Sequence, residues 1–81
     1  MKRIVMKKHI NAQYPQGIFF PVEWKDIKKG DVLQFWEDAV NLVALPNGIT
    51  EVTAVADAKL SEPVWGVEVE YNVTVQATME L

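Results

Sequence analysis

The sequence predicts an α+β fold: a curved, mainly antiparallel sheet of about four strands, with one helix over residues 31–45 covering its apolar face. Three observations lead there. From Trp65 to Leu81 apolar and polar residues alternate without a miss, and side chains of a strand point to opposite faces with a period of two. From Asp31 to Leu45 the polar residues gather on one stripe of a helical projection. Between these segments, glycine, proline and asparagine mark turns. The alternative is an all-β fold, a small SH3-like barrel around which the long C-terminal segment bends.

Taken in order, residues 2–6 suit a short strand and 11–16 a turn. Residues 17–22 are apolar and aromatic, with Pro21 confining them to an edge or a bend. Residues 24–29 suit a short turn, and Lys29-Gly30-Asp31 is punctuation. In the helical reading Asp31 is the N-cap and Gln34 completes a capping box. Gln34, Glu37, Asp38 and Asn41 form the polar stripe, Val32, Phe35, Trp36, Ala39, Val40, Leu42 and Val43 lie opposite, and Pro46-Asn47-Gly48 is the stop. The same residues also permit a strand over 32–36, a turn at Glu37-Asp38 and a second strand over 40–45, given their β-branched and aromatic content. The segregated stripe favours the helix. Residues 49–58 read as a strand and 57–63 as the next turn.

The final segment carries Trp65, Val67, Val69, Tyr71, Val73, Val75, Ala77, Met79 and Leu81 on one row. Gly66, Glu68, Glu70, Asn72, Thr74, Gln76, Thr78 and Glu80 form the other. Fully extended it would span about 56 Å, against a diameter near 30 Å for a compact chain of this length. It must bend, divide or project.

Eighty-one residues, 49% hydrophobic and 23% charged, fit one globular domain over 1–81. Without cysteine there is neither a disulfide nor a thiolate metal site, which fits a reducing cytoplasm as the place of action. The apolar run Ile4-Val5-Met6 is too short for a signal peptide, and no stretch is long enough for a membrane span. Net charge is −3, unevenly spread. Lys2, Arg3, Lys7, Lys8, Lys25, Lys28 and Lys29 precede Asp31, opposed only by Glu23 and Asp26; from Asp31 onward Lys59 stands alone against nine carboxylates.

No catalytic constellation emerges. His9 is the single histidine and Ser61 the single serine, which lacks the glycines of a nucleophile elbow. The four glycines are dispersed and form no phosphate loop. The expectation is a non-enzymatic, cofactor-free protein-binding module, an inhibitor or an assembly component. Small cysteine-free chains of this kind are common among phage and accessory proteins, a base rate that no residue here establishes. Trp24, set between Glu23 and Lys25, is the expected exposed contact, since tryptophan is enriched at binding hot spots. Glu62, Glu68 and Glu70, with Glu80, would offer an anionic face to a basic partner. No lysine or proline blunts residues 65–81, which predicts a homodimer paired through Val73, Val75, Ala77 and Met79. The other function class is a nucleic-acid accessory protein binding phosphates through Lys2, Arg3, Lys7 and Lys8, against which stands a pI of about 5.0. The sequence encodes no recognisable partner identity.

Overall fold

The computed structural model describes residues 3–45 and 48–77. Their strands form two antiparallel sheets. The first has the order β2-β1-β3-β4, built from β1 (Ile4–His9), β2 (Ile18–Pro21), β3 (Val32–Trp36) and β4 (Val52–Thr53). The second has the order β5-β6-β7, built from β5 (Lys59–Ser61), β6 (Val64–Val69) and β7 (Val73–Gln76). The class is all-β, and the expected covering helix over 31–45 is absent.

That correction has a local cause. Leu33 to Trp36 pair with β1 on one side, and Val32 and Leu33 with β4 on the other, so this segment is an inner strand. Glu37, Asp38 and Asn41 of the polar stripe lie in the turn that follows, while Gln34 stands within β3 itself. Asp38 accepts hydrogen bonds from the backbone N–H groups of Val40 (2.9 Å) and Asn41 (3.0 Å), an aspartate turn of the kind that competes with helix. The chain then returns beside β3, with Val43 N–H donating to the Phe35 carbonyl at 2.8 Å and Trp36 bridging to Leu42. Asp31 caps no helix: its carboxylate accepts from Lys28 N–H at 2.9 Å and pairs with Lys7 at 3.3 Å.

The long alternating segment divides. β6 and β7 are joined by Glu70, Tyr71 and Asn72, and Val69 faces Val73 across the hairpin. A three-residue connection sets the facing pair four positions apart, an even number, so the inward row continues in step through a reversal of direction. Two-residue connections shift the step by one, as between Ser61 and Val64 of β5 and β6. This is why a run too long even for the 40 Å long axis of the molecule shows no break in its periodicity.

Two seams join the sheets. Ala54 bridges to Val69 and Val55 N–H donates to Glu68 O at 2.9 Å, linking the end of β4 to β6. Arg3 N–H donates to Ala77 O at 2.6 Å, linking the start of β1 to the end of β7. With the pairings inside each sheet, β1, β3, β4, β6 and β7 make a closed circuit. Closing a sheet on itself protects strand edges.

The enclosed core takes Val5, Leu33, Phe35, Val52 and Ala54 from the first sheet side and Val67, Val69, Val75 and Ala77 from the second. Trp24 and Ile27 enter from the segment around the 3-10 turn Trp24–Asp26. Each large side chain fully buried here stabilises the fold by about 1.5–3 kcal/mol.

Candidate functional site

Residues directly opposite in antiparallel strands share a face, which defines the outward surface of the second sheet. Lys59, Gly66 and Gln76 form one row across it, with Glu68 and Thr74 on one side and Ser61 and Val64 on the other. Gly66 leaves the centre of the middle strand bare. Its neighbours surround a depression of about 340 Å³ that also reaches Ala56, Asp57 and Trp65. A Cβ placed on Gly66 would lie 3.6 Å from Val75 O, 3.8 Å from Thr74 Cγ2 and 3.9 Å from Gln76 Cγ, all ordinary contacts. The backbone here does not require glycine. What glycine provides is the hollow.

With strands about 4.8 Å apart, the bank of Lys59 and Ser61 stands about 10 Å from that of Thr74 and Gln76. Among the described residues, the side chains of Lys59, Ser61, Glu68, Thr74 and Gln76 are committed to no hydrogen bond or ion pair. Asp57 uses one carboxylate oxygen to accept from Lys29 N–H at 2.8 Å. The trough therefore offers donors, acceptors and both signs of charge to a polar segment laid across it.

Among the described residues, the geometry aligns no nucleophile with a base. Ser61 stands on the second sheet, and His9 stands on the first, its ring edge-on to Phe20 at 5.4 Å. Among the described residues no three His, Asp or Glu side chains are grouped to hold a metal ion. The Asp38 carboxyl is held below its ordinary 3.8 by the Val40 N–H, then by the Asn41 side-chain amide. It belongs to the turn after β3, not to the trough.

The expected contact residues are scattered. Trp24 is corrected from exposed to buried, at 3% exposure: the 3-10 turn directs its ring inward, 5.8 Å from that of Phe35, and its Nε1 donates to Arg3 O at 3.3 Å. Glu62 is exposed in the β5–β6 turn and Glu68 on the trough rim. Glu70 is exposed, but its carboxylate accepts from Thr53 N–H at 2.9 Å and so fastens the hairpin to β4. Val75 and Ala77 face the chain's own core and Val73 is half-buried; Met79 and Glu80 lie outside the described residues. Of the basic set, Lys2 also lies outside. Lys7 pairs with Asp31, and Lys8 with Glu51 at 2.9 Å, while Arg3 Nη1 donates to Gln76 O at 3.1 Å. Gly17 lies so close to the Lys8 stem that a Cβ there would stand 2.4 Å from Lys8 Cε. These cations are tied into the fold.

Two features escaped sequence reasoning. The signal for the trough was present, since Gly66 is the single residue of the polar row without a side chain. The other feature is the outward face of the first sheet, where Ile4 and Pro21 are exposed and Met6, Phe19, Val32 and Trp36 are half-buried. It left no signal, because residues apolar on both faces of a strand do not alternate.

No family model matches this chain, and neither a curated protein nor a solved structure matches it. Among the described residues no helix is long and apolar enough to cross a membrane.

Proposed function

We propose that this chain is a non-enzymatic protein-binding module, an inhibitor or assembly component, that receives a polar segment of a partner protein in the trough over Gly66. The observation that supports this reading is the hollow itself, ringed by charged and hydrogen-bonding side chains that the fold leaves uncommitted. Buried polar groups need partners, whereas a ring of unused ones around a concavity is ready to meet a ligand's own. Over residues 57–77 one lysine accompanies four carboxylates, a net charge of −3, which favours a partner surface of basic character.

Affinity capture from cells of the source organism, followed by mass spectrometry, tests this with Gly66→Leu as the paired control. The substitution fills the hollow without backbone strain, so the fold should persist. A partner held by the native chain and lost by Gly66→Leu is the expected result. Equal retention by both rejects the trough as the site.

A further inference from the structure

We propose that Tyr71 is a contact residue, an aromatic anchor that the β6–β7 turn presents to the partner protein, inserting into an apolar pocket with a basic rim. The proposal rests on the protein-binding reading above and names a second part of the same interface, beyond the Glu68–Thr74 end of the trough. Tyr71 has φ 69° and ψ 22°, and Asn72 follows with φ 59°. Asparagine visits this left-handed region readily, but a bulky side chain there crowds its own carbonyl. A turn that needed only the conformation would be better served by glycine or asparagine at both positions.

The core does not use this ring. Tyr71 belongs by position to the inward row, yet it is 63% exposed, while Val67, Val69, Val75 and Ala77 of that row are at 3% or less. The chain thus holds a residue that its backbone disfavours and its interior does not need. Backbone strain of this sort collects at functional positions, and tyrosine supplies large contact area with few torsions to freeze. The base of the turn is fixed by the Glu70 carboxylate on Thr53 N–H and by the Ala54–Val69 bridge. A rigid mount of this kind lowers the ordering cost of association. The basic rim follows from the carboxylates of the same sheet, Glu68 foremost, one position before Val69.

The test separates anchoring from folding. In the full chain, Tyr71→Asn should leave the urea midpoint at or above that of the native protein while lowering affinity for the captured partner at least tenfold. A photo-crosslinking Tyr71→p-benzoylphenylalanine variant should yield an adduct with that partner; the same replacement at Tyr14, another exposed tyrosine, should not. A midpoint lowered as by a core truncation would make Tyr71 structural and overturn the proposal, as would equal adducts from both positions or unchanged affinity of Tyr71→Asn. Binding lost by Gly66→Leu but kept by Tyr71→Asn sinks the anchor and leaves the trough standing. Binding kept by both removes the two together.

Discussion

The two sheets share one core but differ on their outward faces, and that difference decides what their sequences reveal. The second sheet is wet outside: Glu68, Thr74 and Gln76 alternate with Val67, Val69, Val73 and Val75, so a period of two is written plainly into β6 and β7. The first sheet is apolar on both faces over much of its width. In β3, Val32, Leu33, Phe35 and Trp36 interrupt themselves only at Gln34. A strand with two apolar faces shows no alternation, and short apolar runs cannot be told from helix by periodicity.

Truncating two neighbours on β3 separates its inward and outward faces most strongly. Phe35→Ala removes an inward ring that is 1% exposed and should cost about 3–5 kcal/mol. Trp36→Ala removes an outward, half-buried indole, and should cost only about 1–2 kcal/mol because part of that surface is already in water. Urea midpoints would measure both, and equal losses would mean that the outward face of the first sheet is covered as deeply as the core.

A smaller effect separates two carboxylates of the second sheet. Glu70→Ala deletes the acceptor for Thr53 N–H and should cost about 1 kcal/mol. Glu68→Ala touches no such bond and should stay within about 0.5 kcal/mol. If thermal unfolding ranks them the other way, the hairpin is not fastened to β4 through Glu70.

The smallest effect lies in the turn that replaced the expected helix. The Asp38 carboxyl is held below 3.8 in the folded chain. Its anionic form therefore adds stability above the unfolded value, and that contribution disappears as pH falls through the lower folded value. Between about pH 5 and about pH 2, native stability should decline more steeply than that of Asp38→Asn. Parallel curves would show that the turn does not distinguish the charged form.

These contrasts also explain how far the sequence could be read. The inward and outward rows of residues 65–77 were legible because each face had its own chemistry. The reversal at Glu70 to Asn72 was not, since an odd-numbered connection leaves the rows in step. Residues 31–45 misled because the turn's polar residues Glu37, Asp38 and Asn41 happen to fall on one side of a helical projection, with Asp38 and Asn41 bonded to each other at 2.6 Å. Trp24 misled for a different reason. Its charged neighbours suggested a surface loop, yet it lies three residues before Ile27, and both are buried; in a tight turn that spacing places two side chains on one side. Of the candidate site, Glu68 was identified from its outward position, whereas Lys59, Ser61, Thr74 and Gln76 converge only once the strands pair.

The two seams that close the β circuit differ greatly in the length of chain they bring together, and this has a kinetic consequence. Ala54 and Val69 are fifteen positions apart, whereas Arg3 and Ala77 are seventy-four apart. By the logarithmic cost of loop closure, joining the latter pair from an open chain is harder by about 1.4 kcal/mol. The β4–β6 seam can therefore form early, from neighbouring hairpins. Ring closure waits for the two distant ends of the described chain to meet, a late, non-local event of the sort that slows folding in β proteins.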